Sequence, residues 1–399
     1  MQKGLTNFFE EYLARDTIFA EKKAIQSSYI PSIISHRDEQ INQIASIIAP
    51  SLKSERVSNL FIYGKPGTGK TLSVKHTTSK LLELAKSKGV PLSTIYINCK
   101  LKKVADTEYR LIAHLARECG KDVPDTGLPT SEVYRMFFSS IGASEKTYLL
   151  ILDEIDVLAK KAGDEILYNL TRINEELKNA QISLIGISND LVFVDNLDPR
   201  VKSSLSEEEV VFPPYNAPQI QGILKERAQL AFKPGVLAEG VIEKCAAYAA
   251  REHGDARRAL EVLRVAGELA ERGNSPTVSI SHIDQAEEKI EKDRISHIIS
   301  TQPKQYQAIL YSVLQTAEKK EHVFTGEVYE FYRALTAKTG LRPLTQRRVS
   351  DVIAEFDMFG IINAKVISKG RYGRTREIFL SPHLQTENVT LVLQKALDL

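Results

Sequence analysis

A glycine-rich loop that follows a short apolar run is the feature that most constrains this chain. Residues 60–71 read Leu-Phe-Ile-Tyr-Gly-Lys-Pro-Gly-Thr-Gly-Lys-Thr, which matches the phosphate-binding pattern G-x-x-x-x-G-K-[ST]. Glycines let successive backbone N–H groups point into one concavity, and the helix that follows adds the positive end of its dipole. The loop therefore predicts a nucleoside triphosphate site between a strand and a helix. An ordinary glycine-rich turn is the alternative, and the apolar run before the loop argues against it.

The composition is that of an ordinary globular protein. The chain has 399 residues, 43% hydrophobic and 26% charged, so two or three domains are expected. A net charge of +2 predicts no partner by itself, and any nucleic-acid surface must be local. No apolar run reaches the length of a membrane span, and the acidic residues at 10 and 11 argue against a signal peptide. We expect a cytoplasmic protein whose three separated cysteines are free thiols.

Strand-like and helical patterns alternate between residues 59 and 213. Short apolar runs occur at 60–63, 94–97, 148–152, 182–187 and 210–212, with helical patterns between them. Such alternation predicts an α/β domain in which helices cover both faces of a parallel sheet. Ligands of such sheets lie at the carboxyl ends of the strands, which is where the glycine-rich loop falls.

Polar side chains at three strand or loop ends suit nucleotide chemistry. Lys70 and Thr71 are placed to reach the phosphates and Mg²⁺, and Asp153 is expected to hold that Mg²⁺ directly or through water. Glu154 is the candidate general base that activates the attacking water. Asn189 is expected to bond the γ-phosphate or that water. The alternatives are a solvated acidic turn after the strand and a capping role for Asn189.

Two arginines are further candidates for stabilising phosphate charge. Arg200 lies on a predicted turn and is interpreted as a finger that reaches the nucleotide of a neighbouring subunit, although a surface arginine that caps a helix is also possible. Arg257 starts a helix in the all-helical stretch after residue 215 and is expected to reach the phosphates from above. At the other end of the chain, the segment before His36 and Arg37 can pack over the base. A surface position is the alternative for His36.

The rest of the chain predicts two smaller domains. We assign 1–215 to the nucleotide-binding base domain, with residues 1–37 as its N-terminal segment, 216–297 to a helical lid and 298–399 to a winged helix. A helix that opens with Thr345, Gln346, Arg347 and Arg348 suits a major groove, and a basic turn carrying Lys369, Arg371, Tyr372 and Arg374 suits phosphates or a minor groove. A solvated charged face is the alternative.

Taken in order, these motifs resemble those of AAA+ ATPases, and the whole chain resembles the archaeal replication initiators related to the eukaryotic origin recognition complex and its helicase-loading partner. The resemblance implies ATP or ADP with Mg²⁺ as cofactors, slow hydrolysis used as a switch, and double-stranded origin DNA as a partner. It also implies two further kinds of partner: the replicative minichromosome maintenance helicase, and paralogous initiators or other copies of the chain. The protein is expected to be archaeal and associated with the nucleoid.

The resemblance also assigns residues to the site. It implies a DNA contact from an insertion near residues 117–134, for which Lys121 is the candidate. Ser204 stands where some relatives have a second arginine, which leaves the finger role to Arg200. With the residues already argued, the expected nucleotide contacts are Gly64, Lys65, Pro66, Gly67, Thr68, Gly69, Lys70, Thr71, Leu72, Tyr215, Arg227, Arg257, His36 and Arg37.

Two other classes of protein stay open at this point. One is a DNA-translocating AAA+ motor with a winged helix, and the other is a transcriptional regulator gated by ATP.

Overall fold

The computed structural model describes residues 9–10, 16–101, 104–142, 145–177, 179–205, 207–251, 254–320, 322–368, 374–380, 384 and 387–399. The chain forms two compact units, Met1–Ile280 and Ser281–Leu399. Of the residues that the sequence assigned to the basic turn, Lys369, Arg371 and Tyr372 lie outside the described residues. No helix within the described ranges is both long and apolar enough to cross a membrane.

A five-stranded parallel sheet organises the first unit. Its strands are β1 (Asn59–Gly64), β2 (Leu92–Asn98), β3 (Thr147–Asp153), β4 (Gln181–Ser188) and β5 (Glu207–Phe212), in the spatial order β2-β3-β4-β1-β5. All seven residues of β3 are buried, as expected of a parallel strand covered on both faces. The register places the last residues of neighbouring strands side by side, with Asn98 opposite Asp153 and Tyr63 opposite Ser188.

Helices cover the two faces of this sheet and then continue as a helical lid. The helices of the sheet region are α1 (Asp38–Ile48), α2 (Lys70–Lys88), α3 (Glu108–Glu118), α4 (Thr130–Ile141), α5 (Ile155–Ala162), α6 (Glu165–Glu176) and α7 (Pro199–Leu205). Those that follow are α8 (Ala217–Ala231), α9 (Val241–Arg251) and α10 (Ala256–Arg272). Two apolar clusters, one on each face, anchor the sheet: Phe61, Leu152 and Phe137 belong to one, and Ile44, Val74 and Phe212 to the other.

Local sequence explains where two of these helices begin and end. Asn216 accepts a bond from the Gln219 backbone N–H while the Gln219 side chain bonds the Asn216 N–H, and this capping box fixes the start of α8. Gly89 ends α2 in the left-handed conformation, with φ of 70°. These signals are local, so the ends of the two helices follow from the residues beside them.

The second unit is a small helical domain with a three-stranded antiparallel sheet. From Ser281 onward it contains most of α11 (Ile280–Thr301), then α12 (Lys304–Ala317), α13 (Thr325–Thr339), α14 (Gln346–Met358) and α15 (Glu387–Ala396), with strands β6 (Val323–Phe324), β7 (Ile362–Ser368) and β8 (Arg374–Leu380) in the order β6-β8-β7. Tyr332, Val349 and Phe356 lie in its fully buried core.

The predicted fold class is confirmed. The five apolar runs are the five strands of the parallel sheet, each strand two or three residues longer in total than its run, and the helices and hairpin after residue 300 are those of a winged helix. The strand β6 and the helix α15 were not predicted from the sequence. The domain boundaries at 215/216 and 297/298 stay predictions.

Candidate nucleotide site and nucleic-acid interface

The glycine-rich loop links β1 to α2 and lies tightly against the lid. Gly67 and Gly69 have φ of 75° and 90°, the left-handed region that favours glycine. A Cβ atom at Gly67 would overlap the Asp255 carboxylate, and one at Gly69 would lie 2.8 Å from the Tyr215 hydroxyl oxygen. Glycine is therefore required at both positions by the backbone conformation and by the closeness of the neighbouring side chains.

The Lys70 ammonium is buried at the centre of the loop. Its Nζ donates hydrogen bonds to the Gly64 and Lys65 carbonyl oxygens, at 2.6 and 2.9 Å, and to Asn189 Oδ1 at 2.8 Å. Burial and, to a smaller extent, the nearby Arg257 charge lower the pKa of Lys70 to about 8, although the Asp153 carboxylate opposes the shift. The side chain is thus a cation held among oxygens at the place where the sequence predicts phosphates.

The Asp153 carboxylate lies at the end of β3, beside the first residues of α2. Its Oδ2 accepts hydrogen bonds from the Thr71 hydroxyl at 2.9 Å and from the Tyr96 hydroxyl at 2.7 Å. Its Oδ1 accepts the Glu154 backbone N–H at 3.0 Å. The two oxygens predicted to serve Mg²⁺, on Thr71 and Asp153, are therefore within hydrogen-bond distance of each other.

The backbone at Glu154 is in a sparsely populated conformation. Its φ of 57° and ψ of 47° are left-handed, which is uncommon for a residue with a long side chain. Such outliers concentrate at functional sites because the surrounding structure must hold them. Glu154 Oε2 lies 3.7 Å from the Lys100 Nζ, which is mostly exposed. The predicted general base therefore lies at the cavity surface with an exposed cation beside it.

The third acid of the same motif, Asp156, holds Asn189. Asp156 is buried in α5, and its Oδ1 accepts the Ser188 hydroxyl at 3.3 Å and the Asn189 N–H at 3.4 Å. Because Asn189 Oδ1 also accepts from Lys70, its amide is fixed between the end of β4 and the loop.

The lid meets the glycine-rich loop at the start of α10. Asp255 caps this helix by accepting the Arg257 N–H at 2.8 Å, and the Ala256 N–H donates to the Gly67 carbonyl at 3.3 Å. Arg257 Nε lies 3.8 Å from Asp255 Oδ1, and its side chain lines the same cavity as Lys70. Lid and loop are thus joined by a backbone hydrogen bond beside the predicted phosphate site.

A cavity of about 470 Å³ lies between the sheet and the lid. It gathers the predicted residues Gly67, Thr68, Gly69, Lys70, Thr71, Leu72, Asp153, Glu154, Asn189, Tyr215, Arg227 and Arg257. Its other end is apolar, with Ile30, Ile34 and Leu260 in the lining. A polar end beside the loop and an apolar end beneath the lid match the two ends of a nucleotide.

The remaining predicted nucleotide contacts lie outside the lining. Gly64, Lys65 and Pro66 belong to the stem of the loop, and the Gly64 and Lys65 carbonyls bond Lys70 instead. His36 has φ of 63° and lies against α8, where a Cβ at Gly222 would be 2.6 Å from its Nε2. Their roles as nucleotide contacts stay predictions.

Arg37 is one of the largest fully enclosed side chains of the protein. It is 2% exposed, its Nε and Nη2 donate to the Thr68 and Pro213 carbonyls at 2.9 and 2.6 Å, and its guanidinium lies 3.8 Å from the centre of the Tyr215 ring. Burial lowers the pKa of Arg37, and Tyr215 opposes the shift. Arg37 thus ties the glycine-rich loop to the segment that enters the lid.

Residues 16–35, here called the N-terminal strap, are fastened to the lid. The Arg227 guanidinium lies 4.4 Å from the centre of the Tyr29 ring and donates to the Gln26 carbonyl at 2.8 Å. The Ala20 N–H donates to the Ala231 carbonyl at 2.8 Å, and the Ser35 hydroxyl bonds the Glu226 carboxylate. The strap therefore forms part of the apolar end of the cavity.

Arg200 lies away from this cavity. Its side chain is 85% exposed and paired with Asp198, with Nε 3.1 Å from Oδ1. An arginine that points outward fits a role at another subunit's site and equally fits a surface ion pair, so the finger role stays a prediction.

In the second unit, part of the predicted DNA-contacting helix faces a groove. Gln346 and Arg347 line it together with Ser350 and, from β8, Arg376, whose Nη1 donates to the Ser350 carbonyl at 2.7 Å. Thr345 caps α14 by accepting the Arg348 N–H. The groove thus has arginines on two elements, the helix and the wing.

Arg348 is arranged differently from its neighbour. Its Nη2 donates to the Tyr306 hydroxyl at 2.7 Å, and its Nη1 lies 3.4 Å from Glu355 Oε1. Arg374 lies in β8 within a basic stretch of which only the strand is described. Lys121 is exposed in the loop between α3 and α4. The DNA contacts of all three stay predictions.

The residues present fit a nucleotide with Mg²⁺. The donor set combines loop N–H groups, Lys70 and Arg257 for phosphates with the Thr71 and Asp153 oxygens for a metal. Across the described part of the chain, no three His, Cys, Asp or Glu side chains form a metal-binding cluster. Magnesium does not require one, because it is usually bound by one or two carboxylates together with substrate phosphates.

Comparison with known proteins assigns the chain to a family. Family models match in succession an AAA domain at residues 54–192, a Cdc6 AAA+ ATPase-type lid domain at 221–288 and a CDC6 C-terminal winged-helix domain at 297–387. An ORC1-type DNA replication protein of Pyrococcus abyssi is 53% identical over 385 residues, which is 95% of this chain and 91% of that protein. The chain belongs to the ORC1-type DNA replication proteins. A Methanosarcina acetivorans member is 50% identical over 394 residues, 98% of this chain and 94% of its own.

Solved structures of ORC1-type and related proteins share the fold. The Aeropyrum pernix ORC1 protein, solved in complex with DNA, is 43% identical with a TM-score of 0.82, covering 96% of this chain and 97% of its own. Cdc6p of Pyrobaculum aerophilum, at 20% identity and a TM-score of 0.60 over 96% of this chain and 99% of its own, is similar in fold. The resemblance to archaeal replication initiators is therefore confirmed.

Sequence reasoning missed several residues of the site in this ORC1-type protein. Tyr96 and Lys75 line the cavity, Asp156 holds Asn189, and Asp255 packs against Gly67. Asp156 belongs to the acidic motif at 153–156, so its spacing was a usable signal. Tyr96 was identifiable only through strand register, which no local pattern encodes.

Proposed function

We propose that this ORC1-type chain is an ATP-dependent replication initiator that binds origin DNA. The observation that carries the proposal is the single cavity in which the glycine-rich loop, Asp153, Glu154, Asn189 and the lid residue Arg257 meet. A site built from both base domain and lid makes the lid position depend on what the cavity holds. We infer that ATP binding and hydrolysis switch the protein between states rather than drive movement along DNA.

Each residue has a role in the proposed hydrolysis. Lys70 and the loop N–H groups bind the phosphates, Thr71 and Asp153 hold Mg²⁺, and Arg257 binds the terminal phosphate from the lid side. Glu154 accepts a proton from the attacking water, and Asn189 orients that water or the γ-phosphate. Magnesium, when bound, neutralises phosphate charge. Arg200 is proposed to act on the nucleotide of an adjacent protomer.

The winged helix is the proposed DNA-binding element. Support comes from the groove that Gln346, Arg347 and Arg376 line, and from the DNA complex of the Aeropyrum pernix ORC1 protein at 43% identity. Arginine side chains on a helix and a wing suit base edges and phosphates, respectively. We further propose that the DNA-bound protein helps to recruit the replicative minichromosome maintenance helicase.

One experiment tests the initiator function as a whole. Sheared genomic DNA is incubated with the wild-type protein in ATP or ADP, and with Glu154→Gln in ATP, and the bound fragments are sequenced while phosphate release is followed. Glu154→Gln is expected to bind ATP with near wild-type affinity and to lose hydrolysis by at least about 100-fold, since a positioned base contributes about 10²–10⁴. It should retain the fragments that the wild type binds in ATP, clustered at replication start sites.

Glu165→Gln is the matched control, because this exposed carboxylate lies at the start of α6 and outside the cavity lining. Hydrolysis by Glu154→Gln at the wild-type rate would remove Glu154 as the base. Enrichment of promoters instead of start sites would favour a transcriptional regulator, and binding with no preference together with rapid DNA-stimulated hydrolysis would favour a translocating motor.

A further inference from the structure

The Tyr96 phenol connects the central acid of the site to an outer strand of the sheet. Tyr96 is in β2, and its hydroxyl donates to Asp153 Oδ2 at 2.7 Å. The Lys75 Nζ, from α2, lies 3.8 Å from the centre of the Tyr96 ring. Tyr96, Lys75 and Asp153 all line the cavity. None of the nucleotide motifs includes Tyr96 or Lys75.

The position of the phenol follows from the register of the sheet. Asn98 is opposite Asp153 across the β2–β3 ladder, and Tyr96 is two residues earlier on the same strand. Side chains two residues apart on a strand point to the same face, so Tyr96 and Asn98 share a face at the carboxyl end of the sheet. From there the long phenol reaches the carboxylate that ends the neighbouring strand.

The Asp153 carboxylate is held at three points. Oδ2 accepts from Thr71 and Tyr96, and Oδ1 accepts the Glu154 N–H. The Thr71 hydroxyl oxygen is itself a proposed metal ligand. Coordination to a metal would limit the direction in which this hydroxyl can donate to Asp153. The Tyr96 hydroxyl is not among the proposed metal ligands, so it can keep donating to the carboxylate and hold it in one orientation when the metal binds.

The Tyr96 ring is in contact with α2 as well as with Asp153, since the Lys75 ammonium lies over its face. A lysine ammonium over the face of the ring is attracted to its π-electrons and restrains its rotation. The donor of this hydrogen bond thus belongs to a ring that is held in place from α2.

We propose that Tyr96 is a positioning residue that orients the Asp153 carboxylate for Mg²⁺, with Lys75 holding the phenol ring. This inference rests on the proposed Mg²⁺–nucleotide site. Groups that orient a metal ligand commonly change metal affinity by 10–100-fold when they are removed. Loss of the hydroxyl should therefore change the affinity for Mg²⁺ and not the affinity for the metal-free nucleotide. A general packing role would change both affinities.

The test uses binding and requires no turnover. The affinity of a fluorescent ATP analogue is measured for the full chain in EDTA and then across a Mg²⁺ titration. Tyr96→Phe removes one oxygen and keeps the ring. It should raise the half-saturating Mg²⁺ concentration about 10-fold or more, while the affinity in EDTA stays within about twofold of the wild type. Asp153→Asn, measured in parallel, should lose most of the Mg²⁺ enhancement.

Tyr148→Phe is a matched control on the same sheet. Tyr148 is buried near the start of β3, has Lys146 over its ring at 5.6 Å, and pairs with Ser93 at the end of the ladder remote from Asp153. Its substitution should leave the Mg²⁺ titration unchanged. Thermal unfolding of all three variants shows whether any effect comes from loss of fold.

The outcomes separate this inference from the function on which it rests. If Asp153→Asn shifts the Mg²⁺ titration and Tyr96→Phe does not, the positioning role is wrong and the metal site stands. If Asp153→Asn shifts nothing, the proposed metal site fails, and this inference fails with it. If Tyr96→Phe weakens binding in EDTA as much as in Mg²⁺, the phenol has only a packing role, which also overturns the inference.

Discussion

Lys70 shows how the cavity changes the chemistry of a single residue. Burial and the charge of Arg257 disfavour its protonated form, so its pKa falls from 10.5 to about 8. Above pH 8 the folded state releases this proton while the unfolded state keeps it up to about pH 10.5, so the cost of burying the charge is relieved as pH rises. Folding stability and phosphate binding therefore have opposite pH dependences at this residue, because phosphates require the charged form.

We expect the affinity for ATP in EDTA to fall as pH rises from 7 to 9.5. The loss approaches about tenfold per pH unit once the free protein has lost the proton, since one proton must then be taken up on binding. Fluorescence titration of an ATP analogue at half-unit pH steps measures it. Lys70→Arg is the control, because a guanidinium does not titrate in this range, and its affinity should be flat. A wild-type affinity that is constant from pH 7 to 9.5 would contradict the role of Lys70.

At the scale of an element, two adjacent arginines of α14 lie in different surroundings. Arg347 lines the groove beside Arg376, whereas Arg348 is engaged by Tyr306 and Glu355 on the other side of the helix. Residues next to each other on a helix point about 100° apart, so the division follows from helix geometry. At the basic start of α14, one arginine therefore faces the groove and the next links α14 to α12.

We predict that Arg347→Ala weakens duplex DNA binding and reduces the slope of log K against log salt by about one, the change expected when one phosphate contact is lost. If Arg347 contacts a base instead, the loss of affinity should depend on sequence and amount to about 1–3 kcal/mol. Arg348→Ala is the control and should change the slope little. Fluorescence anisotropy between 50 and 300 mM salt, on an origin fragment and a scrambled one, measures both. Equal effects of the two substitutions would contradict the division.

Features encoded by adjacent residues could be predicted from the sequence. Features that depend on contacts between distant segments could not. The loop at 64–71 and the acid at 153 each carry a local signal: glycines at fixed spacing, or an apolar run that ends in acids. Tyr96 becomes part of the site only because β2 and β3 pair in one register. The segment before Arg37 was expected over the base; Ile30 and Ile34 of this segment line the cavity, and its contact with a nucleotide stays a prediction. Nothing in its spacing indicated that the Arg37 guanidinium would turn toward two carbonyl oxygens.

At the scale of the first unit, Arg37 joins segments that are far apart in sequence. It bonds the carbonyls of residues 68 and 213 and stacks on Tyr215, and Gly254 packs against the backbone of that tyrosine. The N-terminal region, the glycine-rich loop, the entry to the lid and the start of α10 therefore meet around one buried cation. A substitution of Arg37 should therefore destabilise the packing of all four segments.

We predict that Arg37→Met lowers the free energy of unfolding by about 2–6 kcal/mol, because two enclosed carbonyl groups lose their donors and each unpaired group costs about 1–3 kcal/mol. Arg37→Lys should restore part of the loss, since an ammonium can serve one carbonyl well but lacks the planar fork. Urea unfolding of the purified variants measures this. Arg56→Met, at an exposed arginine of the same unit, should change stability by less than about 0.5 kcal/mol. If Arg37→Met were as stable as Arg56→Met, the conclusion that Arg37 holds these segments together would be contradicted.

The N-terminal strap has a consequence for how the chain is made. The strap residues Gln26 and Tyr29 bond Arg227, about 200 positions later, and Ile18 bonds Glu271, with a separation of 253. A ribosome that adds about 5–20 residues per second therefore releases the strap some 10–50 s before its partner helices exist. During that interval the buried residues Ile18, Phe19 and Ile25 have no lid to pack against. The cavity can first bind a nucleotide in its final form only when α10 has emerged, so the strap is synthesised early and is among the last segments of the first unit to fold.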